Sequence, residues 1–159
     1  MAKRAIKTTG LNETLANLEA LSNISNINAL ERRALYLGAK VVIEGMLEEL
    51  SALKITRYYG TEEKERYCWP EEAKALIEAC GIAKMITDAT VNTKVGFDGY
   101  YTASNGEQYA IPLLANSVNA GTSFMHAQPF IDATVKKTQK AALKVMDQSF
   151  NENMKKAMK

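Results

Sequence analysis

His126 is the only histidine in this chain of 159 residues, so any acid–base, nucleophilic or metal chemistry needing an imidazole would have to converge on it. It lies between Met125 and Ala127 in a turn bounded by Gly121 and Ser123, a setting that favours a hydrogen-bonding surface residue over a base or a ligand. Zinc would need Cys68 or Cys80 to approach it. The two cysteines are separated by a helical pattern, which fits neither a disulfide framework nor the close pairs of zinc sites. Two reduced, partly buried thiols are expected. No pair of carboxylates sits in a setting that would split their ionisation, and the nucleophile-elbow, phosphate-loop, metalloprotease and dinucleotide fingerprints are missing. The expectation is a protein with no catalytic residues, no cofactor and no metal.

A second constellation concerns binding. Tyr58, Tyr59, Tyr67 and Trp69 cluster beside Arg57 and Arg66, the composition of a base-stacking surface or of a contact patch on another protein. The same aromatics could fold back over the following helix as a satellite core. Glu62, Glu63 and Glu65 flank them and would repel phosphates, which ranks nucleic acid last of the three. Twenty Lys and Arg against 18 Asp and Glu leave a net charge of +2, too small a field to argue for a polyanionic partner. The local basic clusters, Lys3, Arg4 and Lys7 and then Lys155, Lys156 and Lys159, read first as solvated ends.

These residues need elements to hold them. Residues 1–10 read as a mobile arm ending at Gly10, and Leu11, Leu15, Leu18 and Leu21 mark a short helix. A long helix follows from an Asn28 cap to about Leu53, with Glu31 as capping partner and no proline within. Leu30, Ala34, Leu37 and Val41 form one apolar face, and Val42, Met46, Leu50 and Leu53 a neighbouring one. Residues 54–68 read as an exposed polar excursion. Trp69-Pro70-Glu71-Glu72 then opens a short helix that Gly81 is expected to stop, so 54–81 is an inserted loop and helix.

Beyond Gly81 the period changes to two. Ile82–Thr87 and Val91–Phe97 are expected to form a hairpin about Asp88-Ala89-Thr90, with Tyr100 and Tyr101 extending the second strand. Pro112 opens a helix that Gly121 ends, and a final amphipathic helix runs from near Pro129 to about Met158. The fold class expected is α+β, a single domain over 1–159 in which long N-terminal and C-terminal helices pack on a small antiparallel sheet with a short helix inserted. No apolar run reaches bilayer length and no signal-peptide stretch follows the first lysines, so the expectation is assembly in the cytoplasm away from membranes.

The segment LLANSVNAGTSFMHAQPFIDATV, residues 113–135, resembles the small tail components encoded in the head–tail joining cluster of long-tailed bacteriophages. The shared order is a helix, the Gly121-Thr122-Ser123 turn, a linker ending in Pro129-Phe130, and a closing amphipathic helix. The upstream hairpin and the helix over 28–53 are also similar to that family, whereas the 54–81 segment departs from it. What the resemblance implies is a structural virion protein of the neck, or tail-completion class. It would form a homo-oligomeric ring between head and tail, beside connector or head-closure, tail-terminator and tail-tube proteins, with DNA passing non-specifically through its lumen. Tyr58, Tyr59, Tyr67 and Trp69 are then candidate contacts to a neighbouring subunit or layer. The competing reading is a small nucleic-acid-binding protein using the basic termini and the tyrosines.

Overall fold

The computed structural model describes residues 27–56, 66–86, 91–104 and 106–157. The expected arm over 1–10, the helix over 11–21, Tyr58, Tyr59 and the turn at 88–90 lie outside those residues. Within them the chain runs α1 (Ile27–Ser51), α2 (Pro70–Ala79), β1 (Cys80–Ile82), β2 (Val95–Phe97), β3 (Tyr100–Thr102), β4 (Gln108–Ala110), α3 (Ile111–Ala120) and α4 (Phe130–Ala157). This is an α+β fold.

The two long helices form an antiparallel pair. Gly38 faces Met146, Gly45 faces Thr138, and Glu48 and Glu49 meet Lys137, so rising numbers on α1 match falling numbers on α4. At 1.5 Å per residue the pair is about 37 Å and 42 Å long. Its seam is built from small residues. A methyl placed on Gly45 would collide with Thr138 Cγ2, and one on Gly38 would lie 2.6–2.8 Å from the Met146 side chain. Thr134 and Thr138 are buried, and each hydroxyl donates to the carbonyl four residues back, Phe130 and Thr134, at 2.8 Å. Burying a hydroxyl in an apolar seam costs free energy unless it is bonded. The i−4 bond removes that cost and also locks each threonine's χ1.

At one end of this pair sits the main core, which joins Met46 and Leu50 of α1, Leu76 of α2, Ile111, Leu114 and Val118 of α3, Met125, and Phe130 of α4. Phe97 from β2 meets the Phe130 ring edge-on, with centroids 6.0 Å apart and planes at 83°. The helix α2 starts as its sequence demands. Pro70 needs no amide partner in the first turn, and the Glu72 carboxylate reaches back to accept the Trp69 N–H at 2.8 Å.

The expected single sheet is instead two separate hairpins. The first pairs Cys80 with Phe97, Gly81 with Gly96 and Ile82 with Val95, and continues through an Ile86–Asn92 bridge. Gly81 is therefore a strand residue opposite another glycine, and α2 has already ended at Ala79 without it. Tyr100 and Tyr101 do not extend β2. Gly99, at φ +90°, turns the chain, and they form a second ladder with Ala110 and Tyr109. Asn28 falls inside the first turn of α1 instead of preceding it.

Replacing Gly45 with Ala is expected to destabilise the protein by about 1–3 kcal/mol despite the better helix propensity of alanine, because Thr138 cannot turn aside without breaking its bond. Thr138→Ser removes the colliding methyl and keeps the hydroxyl, so the double variant should regain most of the loss. Gly38→Ala should be mild, since the Met146 thioether can swing away. Chemical denaturation of the three variants checks this, and equal losses at Gly38 and Gly45 would refute the account.

Candidate functional site

The segment between α3 and α4, residues 121–129, is irregular yet heavily bonded. Gly121 has φ +78° and donates its N–H to the Ser117 carbonyl at 2.9 Å, which ends α3. A Cβ at this position would lie 2.9 Å from the Ala127 amide nitrogen, so both the backbone conformation and the space require glycine. Thr122 and Met125 exchange backbone bonds of 2.9 and 3.3 Å, and the Thr122 hydroxyl accepts from the Phe124 N–H at 3.4 Å. Ser123 is exposed at the tip of this turn, between those bonded pairs.

From the turn the chain is stitched outward on three sides. Arg66 N–H donates to Phe124 O at 3.0 Å and His126 N–H to Arg66 O at 2.8 Å, a parallel bridge across residues far apart in sequence. Gln128 N–H donates to the Val118 carbonyl at 2.9 Å. The Gln128 side-chain amide both accepts from the Lys54 N–H at 2.7 Å and donates to the Lys54 carbonyl at 3.1 Å. Asn119 Oδ1 accepts the Ile131 N–H at 2.9 Å, satisfying a first-turn donor of α4. Pro129 is exposed at the entry to that helix and Phe130 is buried directly after it.

Within the stretch 54–68, expected as an exposed excursion, Cys68 enters the core and Arg66 and Tyr67 are half-buried beside it. Cys68 has no exposed surface at all, and its neighbour Arg66 makes a two-pronged ion pair with Glu72, each contact 2.8 Å. Alternating charges in the sequence hid this, because a carboxylate six positions away neutralises the arginine. The Arg66 guanidinium also lies 4.7 Å from the Trp69 ring centroid. Tyr67 stacks on His126 with ring centroids 4.8 Å apart, and Lys54 Nζ lies 5.5 Å from the Tyr67 ring. Thus Tyr67 and Trp69 are half-buried and sit on opposite sides of the same strip.

Two clefts flank it. One, of about 410 Å³, lies on the Trp69 side between Tyr101, Tyr109, Leu113 and Phe124. The other, of about 390 Å³, lies on the Tyr67 and His126 side. Burial, and then the Glu72 carboxylate, push the Cys68 thiol up to about 12, and burial raises Cys80 as well. A thiol held this way supplies essentially no thiolate at neutral pH. Both cysteines are free, and among the described residues no three His, Cys, Asp or Glu side chains are grouped to hold a metal. The described residues supply hydrogen bonds, the Arg66–Glu72 ion pair and the Tyr67–His126 ring contact, which fix where surfaces lie.

No protein-family model matches the chain, and no curated protein or solved structure shows significant similarity to it. Among the described residues no helix is long and apolar enough to cross a membrane.

Glu72→Ala strands the Arg66 guanidinium and frees the Trp69 N–H together, so it should cost about 3–5 kcal/mol by denaturation. A loss below 1 kcal/mol would show that the pair is dispensable. Because the Cys68 pKa is raised in the folded state from 9.0 to about 12, its contribution to stability is complete below pH 9 and falls as pH rises through that interval. Cys68→Ala should flatten the alkaline limb of the stability profile, and an unchanged limb would rule the thiol out as its source.

Proposed function

We propose that this chain is a non-enzymatic structural protein of a tailed bacteriophage, one copy of a ring at the head–tail interface that helps join the tail to the DNA-filled head. The observation that carries the reading is the construction of residues 121–129. The residues that resemble the phage tail-component motif, Gly121-Thr122-Ser123 and Pro129-Phe130, are those whose geometry sets the angle between α3 and α4. Gly121 is required by its φ of +78° and Phe130 is buried in the core, while Thr122 and Pro129 shape the turn and the helix entry.

The surrounding chemistry supports the same reading. The heavily bonded backbone, the Arg66–Glu72 pair and the buried Cys68 thiol hold the shape of this strip, and none of them is arranged to turn over a substrate. A ring of identical copies closes by head-to-tail contacts, so each copy needs two different surfaces. Its neighbours would be the connector or head-closure layer, the tail terminator and the tube. DNA would pass through the lumen with contacts that do not read bases.

Removing the gene from the phage that carries it is expected to leave DNA-filled heads and separate tails by electron microscopy, with infectious titre abolished. Infectious particles lacking the chain would end the proposal. Gly121→Val should reproduce the deletion, since it places a β-branched residue in a left-handed conformation against the Ala127 backbone and costs at least about 2 kcal/mol. A Lys159 substitution should leave titre intact.

A further inference from the structure

The helix α4 carries a largely apolar stripe that its own fold leaves partly uncovered. Val135, Gln139, Leu143, Met146 and Phe150 recur at steps of four, four, three and four residues, the spacing of one helix face. Met146 and Phe150 are half-buried, whereas Val135 is 49% and Leu143 52% exposed. Leu143 stands at the middle of the stripe.

Charge beside the stripe is arranged about the same point. Lys140 lies three residues before Leu143 and Asp147 four residues after it, both exposed and both on one flank of the stripe. Among the described residues neither side chain has an ion pair or a hydrogen bond, whereas Lys137 is taken by Glu48 and Glu49. Two helical turns separate Lys140 from Asp147, about 10 Å along the axis, so the two cannot meet on one helix.

A twofold axis at Leu143 removes that separation. With α4 of a second copy laid antiparallel across the stripe, Leu143 meets Leu143, Val135 meets Phe150 and Gln139 meets Met146, while Lys140 of each copy comes opposite Asp147 of the other. Parallel packing would instead set Lys136 against Lys136 and Lys140 against Lys140, like charge on like. From this self-complementarity we infer that α4 pairs antiparallel with α4 of a second copy of this chain, about a twofold axis at Leu143. Such a contact uses one surface twice and closes at two copies. It therefore goes beyond the ring reading: it describes the chain before assembly, with its outer apolar stripe covered, and leaves the head-to-tail contacts of a ring to other surfaces.

Sedimentation velocity of the full chain reads the contact. Wild type is expected to pass from monomer to dimer as concentration rises and to go no further. Leu143→Asp alters an exposed position, so it should keep the wild-type circular dichroism while dimerisation weakens at least about tenfold. Lys140→Glu and Asp147→Lys each set like charges opposite one another at two places, so each alone should weaken dimerisation about tenfold, and both in one chain should restore it. Equal amounts of the two single variants should form a mixed dimer, because a chain with two acids then faces a chain with two lysines. These surface changes keep the test decisive if Leu143→Asp misfolds. A wild type that stays monomeric at every soluble concentration, or a dimer indifferent to Leu143→Asp and to both charge variants, would overturn the inference. Neither result touches the ring reading, which the phage deletion decides. Binding of a duplex oligonucleotide that is lost when Lys136 and Lys140 are replaced by Gln would assign this face to nucleic acid and overturn the inference as well.

Discussion

The backbone of residues 121–129 is the constraint on which the rest of the fold depends. This irregular segment, exposed at Thr122–Phe124 and Pro129 and anchored by the buried Met125, has no helix or strand ladder of its own to take its amides and carbonyls. Here they are shared out among α3 through Ser117 and Val118, the strip through Arg66, and the end of α1 through Lys54. Gly121 makes this possible because no other residue fits both its φ and its approach to Ala127. Once the segment is fixed, Phe130 falls beside Phe97 and the start of α4 is set. The direction of a 28-residue helix thus follows from one turn.

The helix pair relies on a different economy. Gly38 and Gly45 let the backbones of α1 and α4 approach, and the threonines opposite bond their own helix so that no hydroxyl is left without a partner. Long apolar side chains such as Leu143 and Val135 are consequently released to the outside. A seam of small residues and an outer face of larger ones are two sides of one arrangement. That outer face is what a neighbour would see.

Much of the architecture could be read in the residues. The absence of proline through α1, Pro70 with Glu72 at the start of α2, and Gly121 at the end of α3 are local signals with local causes, and the structure places all three accordingly. The misreadings arise where one residue type serves two purposes. Glycine can stop a helix or sit opposite another glycine in a ladder, and only the pairing of Gly81 with Gly96 decides which. Gly99 lies just before the tyrosines expected to extend the second strand, and its φ of +90° divides the strands into two hairpins. The packing of Cys68 into the core with Arg66 half-buried beside it is hidden because charge in a sequence does not show its partner. The seven-residue spacing of Gly38 and Gly45 was a visible sign of close helix packing that periodicity of the large apolar residues outweighs. Within the candidate site, Gly121, Pro129 and Phe130 could be singled out from their types, while the reciprocal Gln128–Lys54 amide bonds join residues 74 apart and leave no local trace.

The pairing of α1 with α4 also dictates what the nascent polypeptide must endure. Glu49 and Lys137 are 88 positions apart, so α1 leaves the ribosome long before the helix that covers it has been translated. During that interval its glycine-notched groove is open to water and to other proteins. A helix able to wait in this state needs charge along its length, and Glu31, Arg32, Arg33, Lys40, Glu44, Glu48 and Glu49 supply it at almost every turn.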